Sequence, residues 1–135
     1  MIERETKIRV IYGDTDKMGY VYYGNYPKYY ERGRTETLRD IGLTYKELEA
    51  QGIGMPVFSM NIKYLKPSFY DDVLTVKTKI FKLPQAKIYF EYEIYNQDNV
   101  LVNYAETTLV FIDTKKNKPT RAPEFLINKM KPYFE

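Results

Sequence analysis

The chain has 135 residues and a formal net charge of +3, and it contains neither cysteine nor histidine. Without cysteine there are no disulfides, thiolate nucleophiles or thiolate metal sites, and without histidine there is no imidazole base, catalytic relay or zinc ligand. Proton transfer would therefore fall to a carboxylate, a lysine, a tyrosine or bound water, and Asp and Glu are the strongest candidates.

The length suits one compact domain, and hydrophobic residues at 44% provide enough apolar material for a core. No apolar run approaches the ~20 residues of a membrane-spanning helix. The charged start MIERETKIRV also lacks the apolar segment of a secretory signal. Lys and Arg are spread along the chain, which disfavours a nucleic-acid partner. We therefore predict a single cytoplasmic domain over residues 1–135 with no transmembrane segment.

The first half of the chain changes from a strand pattern to a helical one. Residues 6–13 alternate as a strand, residues 14–24 have the composition of an ordered loop, and residues 26–41 follow helical periodicity. Asn25 is suited to cap this helix at its start, and Gly42 is suited to end it. The predicted buried stripe of the helix consists of Tyr26, Tyr29, Tyr30, Gly33, Thr37, Leu38 and Ile41.

The second half of the chain is mainly strand-like. Thr44 and Glu47 form a capping-box pattern for a short helix near 45–51. Pro123 opens a terminal helix, and the β-rich runs between these helices predict four strands at 55–67, 72–83, 86–96 and 100–113. Strands that follow one another through short turns predict an antiparallel meander. The expected fold class is α+β, with a curved antiparallel sheet wrapped around one long helix.

Three motifs of the chain resemble one known family. Residues 12–26, YGDTDKMGYVYYGNY, resemble the signature D-x-D-x-x-G-x-V-x-[HYF]-x-x-Y of the 4-hydroxybenzoyl-CoA thioesterase-like group of hotdog-fold thioesterases. Residues 30–39, YERGRTETLR, are similar to the E-R-x-R-T-E-x-L-R run of its acyl-CoA thioesterase branch, which in bacteria is associated with the Tol-Pal system. Residues 64–72, YLKPSFYDD, are similar to a strand-turn-strand segment of the same group. The resemblance covers nearly the whole chain in the expected order.

The resemblance implies a hotdog domain that forms a homodimer, or a tetramer of two dimers, with active sites at the dimer interface. The implied substrate is a thioester of CoA or of an acyl carrier protein, and no metal or bound cofactor is expected because CoA arrives as part of the substrate. A different class of function, a non-catalytic protein that binds acyl thioesters, stays open as an alternative. A hotdog hydratase or dehydratase is disfavoured, because those enzymes use a catalytic histidine that this chain lacks.

The resemblance also assigns catalytic roles. The catalytic aspartate of the family corresponds to Asp16, and the backbone N–H donor that polarises the thioester carbonyl corresponds to Tyr23 or Gly24. A helix start with free N–H groups and partial positive charge is suited to a developing oxyanion. Asp16 could act as a general base on water or attack the carbonyl itself to give a mixed anhydride, and the sequence leaves both mechanisms open. Asp14 is interpreted as a structural carboxylate of the loop.

The remaining predicted site residues would contact substrate. Many members of the acyl-CoA branch carry histidine where this chain has Tyr23, so an imidazole-assisted mechanism is excluded. Tyr23 and Tyr26 are expected to line the acyl pocket, and lysines near strand ends, Lys82 and Lys87 among them, could meet CoA phosphates. The predicted substrate-binding set is Gly19, Val21, Asn25, Tyr26, Lys63 and Lys66.

Overall fold

The computed structural model describes all residues from 1 to 135. The chain forms seven strands, three α-helices and short 3-10 turns, with two helices after the first strand and the third helix after the last strand. The strands are β1 (Ile2–Arg9), β2 (Ile53–Gly54), β3 (Val57–Tyr64), β4 (Val73–Ile80), β5 (Lys87–Tyr95), β6 (Leu101–Asp113) and β7 (Lys118–Thr120). The helices are α1 (Tyr26–Asp40), α2 (Tyr45–Ala50) and α3 (Glu124–Met130).

The strands form one antiparallel sheet in which β6 has the most neighbours. The main order is β1-β4-β5-β6, and β3, β2 and β7 all pair with β6. The predicted α+β class is thus confirmed, but the predicted meander is wrong at one step, because β3 crosses to β6 and does not pair with β4. The 13 residues of β6 are long enough for this, since its first half pairs with β3 and its last residues pair with β2 and β7. Both β1 and β3 are therefore edge strands, β1 paired only with β4 and β3 paired only with β6.

Helix α1 packs against one face of the sheet, mainly on β1 and β4. Its buried face contains most of the predicted stripe, and the tyrosines Tyr29 and Tyr30 are almost fully buried. Gly33 permits a close approach to β4, because a Cβ at this position would lie 2.7 Å from Thr78 Oγ1 and 2.8 Å from Val76 Cγ1. The predicted helix and its buried face are confirmed.

Three local predictions need correction. The first strand begins at Ile2 and ends at Arg9, and residues 12–14 form a 3-10 turn in which Tyr12 is 77% exposed. The strand β7 was missed because three residues carry too little periodicity. Asn25 does not cap α1 with its side chain, because a 3-10 turn over residues 23–25 already precedes the helix and Asn25 has helical backbone angles.

No helix of the structure is long and apolar enough to cross a membrane.

Candidate active site

The loop between β1 and α1 folds back on itself as a narrow hairpin. Thr15 and Val21 form an isolated β-bridge, and the Asp16 N–H donates to the Tyr20 carbonyl at 2.8 Å. Gly19 turns the tip with φ of +82°, a left-handed conformation that favours glycine. Its N–H also donates to the Asp16 carbonyl at 3.0 Å. The predicted role of Gly19 as a special backbone position therefore agrees with its geometry, whereas its predicted substrate contact stays a prediction.

The Asp16 carboxylate is oriented by this hairpin and remains accessible. Its Oδ1 atom accepts hydrogen bonds from the Met18 N–H at 2.8 Å and the Tyr20 N–H at 3.2 Å. Its Oδ2 atom accepts no hydrogen bond within the protein, and the residue is exposed. One carboxylate oxygen is thus held by backbone donors while the other is free to contact a substrate or a water molecule.

The Asp14 carboxylate lies in a different environment, where it is only 5% exposed. It accepts hydrogen bonds from Lys28 Nζ at 2.6 Å and from the Tyr29 hydroxyl at 2.8 Å. Burial acts to raise the pKa of Asp14, but these two donors outweigh burial and the net pKa lies below the ordinary value. The structural interpretation of Asp14 is therefore supported by its contacts.

A cleft of about 340 Å³ opens beside the Asp16 carboxylate. Its walls come from the hairpin loop, the start of α1 and the chain that leaves β3. The lining residues are Asp16, Tyr20, Val21, Tyr23, Tyr26, Tyr64, Leu65, Lys66 and Pro67. Five of the predicted site residues thus meet in one cleft, with an acidic group, a basic group and four aromatic rings around it.

Backbone N–H donors lie at the same cleft. Residues 23–25 form a 3-10 turn that runs directly into α1, so the helical N-terminus begins at Tyr23. Neither the Tyr23 N–H nor the Gly24 N–H donates a hydrogen bond within the protein. A Cβ at Gly24 would lie 2.6 Å from the Tyr22 ring, so any larger residue here would require this exposed ring to move. The first free donors of the helix therefore lie next to the cleft that contains Asp16.

Three further predicted residues lie outside the cleft. The Asn25 Nδ2 group turns away from substrate space and donates to the Asp14 carbonyl at 2.9 Å. Lys63 is on the opposite face of β3 from Tyr64, beside Tyr104 and the acidic pair Glu91 and Glu106. Gly24 adjoins the cleft through Tyr23 without lining it. Lys63 therefore cannot contact a substrate in the cleft of its own chain.

The sequence reasoning missed the residues that close the cleft from the β3 side. Tyr64 contacts Tyr26, with 5.6 Å between the ring centroids, and Leu65 and Pro67 extend the same wall. Behind this wall, the Tyr26 hydroxyl donates to the buried Ser68 Oγ at 3.2 Å. The sequence identifies this segment only as a motif, because its approach to α1 follows from the crossing of β3 to β6, which local periodicity does not encode.

The arrangement has the components of thioester hydrolysis and lacks those of a metal site. No group of three or more Asp, Glu, His or Cys side chains is close enough to hold a metal ion. A free carboxylate oxygen can activate water or attack a carbonyl, while unpaired N–H groups can stabilise the oxyanion that forms. The single lysine of the cleft, Lys66, can contribute positive charge toward a phosphate-bearing group.

Comparisons with known proteins agree with this chemistry. The family model of the thioesterase-like superfamily matches residues 10–130. The acyl-CoA thioester hydrolase YbgC of Escherichia coli is 36% identical over 124 residues, which cover 92% of each protein. The acyl-acyl carrier protein thioesterase ATL3 of Arabidopsis thaliana is 30% identical over 128 residues, covering 93% of this chain and 66% of that protein. The crystal structure of the DHNA-CoA thioesterase of Staphylococcus aureus has a TM-score of 0.92 and 34% identity, covering 99% of this chain and 90% of that one.

The chain therefore belongs to the thioesterase-like superfamily and has its hotdog fold. Within this superfamily it is a thioester hydrolase, as the motifs of the sequence predicted. The alternative of a non-catalytic binding protein is disfavoured by this membership. The structure gives the positions of Asp16, Tyr23 and Gly24, but their catalytic roles stay predictions.

Proposed function

We propose that this protein hydrolyses acyl-CoA thioesters to a carboxylic acid and free CoA, with Asp16 as the reactive carboxylate and the N–H groups of Tyr23 and Gly24 as the oxyanion hole. One observation carries the proposal: a carboxylate with a free oxygen and a helix start with unpaired donors lie at the same cleft. The relatedness to the acyl-CoA thioester hydrolase of Escherichia coli supports the choice of CoA as the thiol.

In the general-base form of the reaction, Asp16 takes a proton from water and the water oxygen attacks the thioester carbon. The carbonyl electrons move to oxygen, where the donors of Tyr23 and Gly24 stabilise the negative charge. The C–S bond then breaks, and the proton held by Asp16 passes to the CoA thiolate. In the nucleophilic form, an Asp16 oxygen forms the bond to carbon, the thiolate leaves, and water hydrolyses the resulting anhydride. No metal or additional cofactor takes part in either form.

The acyl group that the cleft favours is aromatic. Tyr20, Tyr23, Tyr26 and Tyr64 provide flat rings around a space of about 340 Å³, and rings of this kind stack well on an aryl group. The Tyr26 hydroxyl and Ser68 behind it add a polar end to the wall. The DHNA-CoA thioesterase of Staphylococcus aureus, whose structure is similar over 99% of this chain, acts on a CoA thioester of an aromatic acid. A short aliphatic acyl group is the second candidate.

The physiological thiol carrier could also be an acyl carrier protein, because the Arabidopsis thaliana relative acts on such substrates. Acyl carrier proteins are acidic, and the net charge of +3 would assist their approach only modestly. We favour CoA on the higher identity to the acyl-CoA enzyme. We propose a cytoplasmic location, with which the absence of cysteine is consistent.

We further propose that the enzyme is a homodimer joined through β3. This strand pairs with β6 along one edge only, and Val57, Phe58, Tyr64 and Leu65 along it are between 43% and 63% exposed. An open strand with exposed apolar side chains is a template for pairing with a second copy. Because Tyr64 and Leu65 line the cleft, a partner on this edge would also close the active site.

The test measures free-thiol release from benzoyl-, hydroxybenzoyl-, butyryl- and palmitoyl-CoA, and from the same acyl groups on an acyl carrier protein. Wild type should turn over the aromatic CoA thioesters fastest, and Asp16→Asn should lower kcat by at least about 10³-fold. Asp98→Asn, an isosteric change in the exposed β5–β6 turn, serves as the matched control and should retain full activity. Unchanged turnover in Asp16→Asn would falsify the assignment of Asp16. Faster turnover of the carrier-protein substrates would show that the thiol carrier is an acyl carrier protein and not CoA.

A further inference from the structure

The two halves of the proposed active site are separated along the chain but are fixed to one residue, Asp14. Its backbone carbonyl accepts a hydrogen bond from the Tyr22 N–H at 2.9 Å and another from Asn25 Nδ2 at 2.9 Å. Asp14 stands two residues before Asp16, while Tyr22 and Asn25 flank the N–H donors. The loop therefore carries the Asp16 carboxylate just after Asp14, and the segment with the N–H donors is hydrogen-bonded back to the Asp14 carbonyl.

The side chain of Asp14 connects the same point to helix α1. Its Oδ1 accepts from Lys28 Nζ at 2.6 Å and its Oδ2 accepts from the Tyr29 hydroxyl at 2.8 Å. Both donors belong to the first turn of α1, just after the 3-10 turn that bears the free N–H groups. Asp14 is 5% exposed and is absent from the residues that line the cleft, so it does not touch substrate.

We propose that Asp14 is a positioning residue for catalysis, which sets the distance between the Asp16 carboxylate and the N–H donors of Tyr23 and Gly24 by holding both ends of the loop to the start of α1. This inference rests on the proposed function. Its physical basis is that charge-assisted hydrogen bonds to a buried carboxylate are short and directional, and that reaction rates are sensitive to small displacements of catalytic groups.

The test compares kcat and KM for one aromatic acyl-CoA in Asp14→Asn, Lys28→Met, Lys28→Arg and Tyr29→Phe. Asp14→Asn should lower kcat by about 10- to 100-fold with KM within about twofold of wild type, because the ground-state contacts of the substrate remain. Lys28→Met should lower kcat in the same manner but less, and Lys28→Arg should restore most of it. The Asp14→Asn/Tyr29→Phe double variant should be no slower than Asp14→Asn, because both changes remove one contact network.

A matched control removes another ion pair from the same helix. Arg39 pairs with Glu36 on the exposed side of α1. Arg39→Met should therefore leave kcat unchanged even if it lowers the melting temperature. Lys28 is half exposed, and Lys28→Met is therefore expected to fold even where Asp14→Asn does not. Full kcat in Lys28→Met and Asp14→Asn, with only a lower melting temperature, would overturn the positioning role. If Asp16→Asn is also fully active, the catalytic assignment of Asp16 in the proposed function fails; if Asp16→Asn alone is inactive, only this inference fails.

Discussion

The two aspartates of the DTD sequence differ in what surrounds their carboxylates. Asp14 is buried and both of its oxygens accept hydrogen bonds from side chains of α1, whereas Asp16 is exposed and one of its oxygens is free. Reactivity requires an accessible lone pair, and anchoring requires the opposite. Strand alternation alone would place residues two apart on the same face, so the separation comes from the local backbone. Asp14 ends the 3-10 turn over residues 12–14, whereas Asp16 belongs to the tip of the hairpin that Gly19 turns.

Asp14 should make the stability of the protein depend on acid pH. Its folded-state pKa is lowered, so its contribution is fully present above the ordinary pKa of an aspartate and is lost as the pH falls through the folded-state value. Asp14→Asn should therefore reduce the free energy of unfolding by about 2 kcal/mol at pH 7, since it weakens two bonds to a buried charge. The difference from wild type should shrink near pH 3. Urea denaturation at both pH values measures it, and an equal difference at both would show that the charge of Asp14 does not contribute.

At the level of elements, the packing of α1 on β4 depends on Gly33. A methyl group there would lie within 3 Å of Thr78 and Val76. Gly33→Ala should lower the free energy of unfolding by about 1–3 kcal/mol, because overpacking exceeds the ~1 kcal/mol that alanine gains in helix propensity. In a Val76→Ala background the cost should be smaller, because one of the two contacts is relieved. Urea denaturation of the four variants tests this, and a stabilising Gly33→Ala would show that the helix can move away from the sheet.

The elements also show which parts of the fold the sequence encodes locally. The helix over 26–41 was predictable because tyrosines and small residues recur with its period, and β4, β5 and β6 were predictable because they alternate. The partner of β3 was not, because alternation says which face of a strand is buried but not which strand lies beside it. The motif placed Asp16 and Tyr23 at a site, but Tyr64 enters the cleft only through that unpredicted pairing.

At the level of the whole molecule, the β3 wall of the cleft is itself exposed to solvent. Tyr64 and Leu65 form its wall and are about half exposed, at 49% and 52%. The strand β3 has one open edge, and its single charged residue is Lys63 near its end, while the uncharged Met60 and Asn61 lie at its middle. Strand edges that stay unpaired are commonly protected by charge. The lack of charge at the middle of β3 fits an edge that is covered by a second chain.

If two copies pair antiparallel through β3, the middle of the strand faces its own symmetry mate. A lysine at Asn61 would then place two positive charges side by side across the two-fold axis, and like charges on opposing strand positions are destabilising. Asn61→Lys should therefore shift the mass in light scattering from a dimer, or a tetramer of two dimers, toward smaller species. It should also reduce kcat/KM, because Tyr64 and Leu65 lose their cover. Gln51→Lys, which adds the same charge at an exposed position after α2, should change neither quantity. An assembly of unchanged mass in Asn61→Lys would place the interface on another surface, and a monomeric wild type with full activity would show that one chain is sufficient for the site.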